Sequence, residues 1–182
     1  TLAKVGDAFG TVGDKATKAG EKMMPVTAGI TALGAAGVAA SMELDNGYDT
    51  IITKTGATGE ALENLTTVAD NVFSDMPTTM DDVGVAVGEV NTRFGATGTE
   101  LENLSKDFIK FANINGTDLN TAIDSVDSIM TKFGVDASQT KNVLGLMTKA
   151  GQDTGISMET LETALTTNVA SLKEMGLDLT SS

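Results

Sequence analysis

The 182 residues include 25 acidic and 12 basic side chains, a net charge of −13, and neither Cys nor His. This composition excludes disulfides, thiol chemistry, the common zinc sites and every His-based general base or nucleophile pair. A surface field of that sign repels phosphate, so no direct nucleic-acid binding is expected.

Residues 1–22 read as a polar, weakly helical lead-in. Gly6, Gly10, Gly13 and Gly20 are interleaved with charged residues there, and each internal glycine costs a helix about 1 kcal/mol relative to alanine. From Met23 to Met42 no charged residue occurs. A run of about 20 residues is just long enough to span a bilayer. Its Ala, Gly and Thr content makes it feebly hydrophobic, and small side chains favour close packing, so residues 23–42 read as a buried or self-associating Ala/Gly-rich helix.

Residues 43–176 carry an internal repeat. The string Thr53-Lys54-Thr55-Gly56-Ala57-Thr58-Gly59-Glu60-Ala61-Leu62-Glu63-Asn64-Leu65 returns 39 residues later as Thr92-Arg93-Phe94-Gly95-Ala96-Thr97-Gly98-Thr99-Glu100-Leu101-Glu102-Asn103-Leu104. The next step reaches Gly134, and Met80, Leu119 and Met158 keep the same period. Each unit contains two apolar series spaced by three and four, the signature of two amphipathic helices. Leu62, Leu65, Ala69 and Val72 match Leu101, Leu104, Phe108 and Phe111, and Val143, Met147 and Ala150 continue them. Met80, Val83, Val87, Val90 and Phe94 match Leu119, Ala122, Val126, Ile129 and Phe133. An earlier, poorer copy holds Leu44, Tyr48, Ile51 and Ile52.

Glycines end the series at Gly56, Gly95, Gly134 and Gly176, where a left-handed helix cap is expected. Thr79, Asp118 and Ser157 are expected N-caps, Thr97 with Glu100 has capping-box spacing, and Pro77 precedes a helix start. Together these features predict an all-α fold of stacked antiparallel helix pairs, α-solenoid-like with a 39-residue repeat, preceded by the Ala/Gly-rich apolar helix. Residues 177–182 read as the start of a next segment, and the chain as a piece excised from a longer protein.

No motif supports catalysis or a cofactor. Asp81-Asp82, Glu100 with Glu102, and Asp124 with Asp127 lie on polar helix faces and read as solvated surface. Asn113-Ile114-Asn115-Gly116 has the turn glycine of a calcium loop, but the positions needing acids hold Phe111 and Ala122. Phosphate-binding glycine loops are missing from the sequence. Phe94, Phe108, Phe111 and Phe133 fall at helical spacing and read as core.

Several strings resemble phage tail tape measure proteins of long-tailed phages and prophages: Gly20-Glu21-Lys22-Met23-Met24-Pro25, Ser41-Met42-Glu43-Leu44-Asp45, Met76-Pro77-Thr78-Thr79-Met80-Asp81-Asp82, Asn91-Thr92-Arg93-Phe94-Gly95 and Thr148-Lys149-Ala150-Gly151-Gln152-Asp153-Thr154-Gly155. The similarity runs from about Gly20 to Ser182. It implies a virion structural protein of the tail-tube lumen, made in the host cytoplasm, that sets tail length during assembly and leaves the tube during DNA ejection. It further implies partnership with the tail tube protein, tail assembly chaperones and tail tip proteins, self-association, and transient membrane contact through residues 23–42. The residues themselves also fit a second reading, a stand-alone helical-repeat module that binds protein. A ruler works by extension, and one helix of this length would span about 270 Å; the glycine stops argue for a chain that folds back.

Overall fold

Residues 36–174 are described in this computed structural model, residues 36–42 by backbone alone. The lead-in, most of the apolar run 23–42, and Gly176 lie outside the described residues. The chain divides between Met42 and Glu43, and the packing described below belongs to the unit that begins at Glu43.

Among the described residues there are eight α-helices: α1 (Ala36–Thr55), α2 (Gly59–Asp75), α3 (Met80–Phe94), α4 (Gly98–Asn115), α5 (Leu119–Phe133), α6 (Thr140–Thr154), α7 (Met158–Thr167) and α8 (Val169–Glu174). A 3₁₀ turn, Ala137–Gln139, precedes α6. Connections this short force consecutive helices to run antiparallel. The result is two layers. Layer A holds α2, α4 and α6, which pack in series, and layer B holds α3, α5 and α7, packed likewise, with α1 set against α3. Each 39-residue unit therefore contributes one helix to each layer, the α-solenoid-like stack of the 39-residue pattern.

The core lies between the layers and is filled by repeat-equivalent side chains. Met80, Leu119 and Met158 are all buried, as are Val87 with Val126 and Val90 with Ile129. Phe108 is fully buried and meets Phe94 with ring centroids 5.4 Å apart. Leu101 is fully buried, whereas its counterpart Leu62 on the first layer-A helix is only half-buried. Phe133 is buried and Phe94 half-buried. Ile52 departs from its expected apolar face and is exposed; Ile51 beside it takes the core position. In the third unit Thr140 stands where Leu62 and Leu101 stand, and its buried hydroxyl donates to the Ala137 carbonyl at 2.6 Å.

Two features break the repeat. Gly-Ala-Thr-Gly links α1 to α2 and α3 to α4, whereas the corresponding third linker begins Gly-Val-Asp-Ala, and its Asp136 starts the 3₁₀ turn by accepting from the Ser138 N–H at 2.9 Å. The joint between α1 and α3 is also closer than the others. A Cβ on Gly47 would lie 2.5 Å from the Met80 carbonyl oxygen, and one on Gly84 would strike the Gly47 carbonyl. The positions equivalent to Gly84 and Gly88 in the next unit hold Ile123 and Asp127.

Candidate interaction surface

Turns set the register in which surface side chains are presented. Gly56, Gly95 and Gly134 have φ of 65°, 67° and 72°. The Gly95 N–H returns to the Asn91 carbonyl and that of Gly134 to Met130, closing the ends of α3 and α5. Thr79, Asp118 and Ser157 each accept from the backbone N–H three residues on. Thr97 does not: as N-cap of α4 it makes no side-chain cap bond. Gly98 enters the helix at φ 54°, which turns the first residue left-handed and takes the Thr97 hydroxyl away from the capping N–H.

Sequence reasoning missed the caps of layer A. Gly116 and Gly155 end α4 and α6 at φ 63° and 71°. They are 39 residues apart, and Pro77 stands one period before them. Pro77 therefore works less as a helix opener than as a stop for α2. It holds the preceding Met76 extended at φ −147°, ψ 147°, where the other units use a left-handed glycine. The constant Gly-x-Asp/Ser spacing before α5 and α7 was the available signal.

Of the acidic pairs on polar helix faces, Asp124 with Asp127 is engaged by a cation of the preceding unit and Glu102 by one on its own helix, whereas Asp81, Asp82 and Glu100 make no ion pair among the described residues. On layer B, Lys54 and Arg93 occupy the same repeat position. Both hold Glu89, each at 2.6 Å, and Arg93 extends to Asp124 at 2.5 Å and Asp127 at 3.3 Å. Burial pushes the Glu89 carboxyl up, but hydrogen bonds from Lys54 and Arg93 outweigh it and hold the group below the usual glutamate range. The bond to Glu89 in turn raises Arg93. On layer A, Lys106 joins Glu102 on its own helix, at 2.8 Å, to Asp75 on α2, at 2.5 Å, and Asn71 donates to Glu102 at 3.1 Å. Tyr48 donates to Asp70 at 2.6 Å, tying α1 to α2. Desolvation raises both groups, and the hydrogen bond offsets only part of that rise at Asp70.

Between successive layer-A helices the surface is grooved. A cleft of about 760 Å³ separates α2 from α4, with Asn64, Thr97 and Glu102 on its walls and Leu65, Val68 and Leu101 toward its floor. A shallower groove between α4 and α6 is lined by Asn103, Lys110 and Lys141, among others. Among the described residues no three His, Cys, Asp or Glu side chains converge to hold a metal ion. No described helix is long and apolar enough to cross a membrane.

The family described as phage-related minor tail protein matches residues 69–181, from the end of α2 through the rest of the repeat stack. No curated protein and no solved structure matches.

Proposed function

The chain belongs to the phage-related minor tail protein family, and from that premise we propose that it is a folded segment of a tail tape measure protein, the component that sets tail-tube length during assembly and leaves the tube on DNA ejection. The observation that carries this reading is the family match lying on the helical-repeat core. The tape-measure-like strings at Met76–Asp82, Asn91–Gly95 and Thr148–Gly155 fall on the turns and helix ends of that core. The family is a structural one, and its members are tail components of the virion.

A stack of helix pairs makes this stretch a compact module within a ruler. Adding a unit lengthens such a stack by one helix spacing, about 10 Å, whereas 39 residues of continuous helix add about 60 Å. The net charge of −13 keeps DNA from sharing the tube with the protein and favours exchange of one for the other. The tail tube, tail tip and assembly chaperone proteins are its proposed neighbours.

The test is genetic. In the phage or prophage that encodes the chain, residues 95–133 are removed in frame and tail lengths measured by electron microscopy. Tails shortened by about 10 Å are expected; shortening by about 60 Å would show that the segment is extended in the tail. Normal tails after disruption of the whole gene overturn the tape-measure reading.

A further inference from the structure

We propose that the outer face of layer A binds an extended polypeptide along a row of asparagines, Asn64, Asn103 and Asn142, with the peptide's basic end over α2 and its acidic end over α6. The three asparagines are 39 residues apart, on α2, α4 and α6 in turn, and all three are exposed. Among the described residues the amides of Asn64 and Asn103 make no hydrogen bond, while Asn142 donates to Gln139 Oε1 at 2.7 Å and keeps its carbonyl free. Asparagine is a weak helix former, so helix propensity does not account for the row. Layer B has no counterpart: Asn46 repeats as Val85, and Asn120 as Glu159.

A primary amide offers donors and an acceptor, the complement of a peptide group. A helical partner has already satisfied its backbone, so the chemistry selects an extended one. Packed helices lie about 10 Å apart, and three extended residues cover about the same distance. The row therefore meets every third residue of the bound strand. Asn64 and Asn103 border the two grooves described above, and the cleft over Leu65, Val68 and Leu101 accepts an apolar side chain between the amides.

Charge orients the strand. α2 presents Glu60 and Glu63 with no cation on the helix, its Asp70 and Asp75 being held by Tyr48 and Lys106, whereas α6 carries Lys141, 3.6 Å from Asp107, and Lys149, 2.7 Å from Asp153. The side chains of Lys141 and Lys149 are 77 % and 72 % exposed. The occupant is thus a polypeptide segment with a basic and an acidic end.

The experiment titrates the full chain into a fluorescein-labelled nonapeptide, Lys-Lys-Thr-Ser-Val-Thr-Ser-Asp-Glu, and reads anisotropy. Saturable binding is expected, weakened at least about ten-fold when Asn64→Ala, Asn103→Ala and Asn142→Ala are combined, with circular dichroism unchanged. A peptide N-methylated at every third residue, which tests the same bonds without altering the protein, should bind at least as poorly. No saturable binding to the parent chain, or equal binding by the triple variant or the N-methylated peptide, overturns the proposal. The proposal does not rest on the tail-component reading, and failure of either test leaves the other standing.

Discussion

At the scale of single residues, Gly84 and Gly145 make opposite demands. Both are interior helix positions, yet a side chain on Gly84 meets the Gly47 carbonyl while one on Gly145 meets open space. Overpacking against backbone costs about 1–3 kcal/mol, and an exposed helical glycine replaced by alanine gains up to about 1 kcal/mol. Gly84→Ala should therefore lower the urea midpoint and Gly145→Ala raise it. A rise in both would show that α1 does not seat on α3 as described. Asp70 is a second residue-scale case. Burial raises its pKa, so ionisation costs stability above the raised value, and that cost is relieved as pH falls toward the ordinary aspartate value. Asp70→Asn keeps an acceptor for Tyr48 and removes the buried charge. The variant should be at least as stable as the parent at neutral pH and should lack the parent's gain on acidification, as read from urea midpoints between about pH 4 and 7.

At the scale of elements, α1, α3 and α5 are joined by a chain of charges whose cations, Lys54 and Arg93, stand one period apart. Arg93 bridges Glu89 on α3 to Asp124 and Asp127 on α5, while Lys54 brings α1 into the same network. Glu89 is the nearly buried member, its side chain 12 % exposed. Its lowered pKa contributes stability that is present above the ordinary glutamate value of 4.5 and is lost as pH falls through the lowered one. Because Arg93 is partly exposed and screened, Arg93→Ala is expected to cost about 1 kcal/mol at low salt and less at high salt. Urea unfolding at two ionic strengths checks this, and a cost independent of salt would assign Arg93's role to packing. The boundaries of α3 and α5 were legible because apolar period, N-cap residue and stop glycine agreed at each; at α4 the Thr97 hydroxyl makes no cap bond and the stop, Gly116, lies outside the glycine series that the repeat marked. The end of α2 was harder to read, since Pro77 does by extended backbone what Gly116 and Gly155 do by a left-handed one.

At the scale of the whole molecule, the repeat makes stability a sum of units and nearest-neighbour interfaces. Excising residues 95–133 joins Phe94 to Gly134 in register and keeps the alternation of layers. The shortened chain should remain helical in proportion to its length and unfold cooperatively at a lower urea midpoint. Loss of the whole circular dichroism signal would mean that the units are not interchangeable. Glu102 and Asp127 sit on polar helix faces yet are partly covered, because in a stack a polar face borders the next unit; Asp124 stays exposed although Arg93 reaches it.

What the chain determines locally is period, helix sense and most stops, because apolar spacing and capping chemistry act within a few residues of sequence. Those effects alone specify an all-α stack with one helix pair every 39 residues. The tertiary structure decided which equivalent positions differ. Leu101 is buried where Leu62 is half-covered, because α4 has a layer-A neighbour on each side while α2 lacks α4's counterpart before it among the described residues. It also decided that Gly47 and Gly84 bring two backbones together, and that three asparagines one period apart fall on one open face. Each depends on distances between residues that are remote in sequence, which periodicity encodes only as repetition.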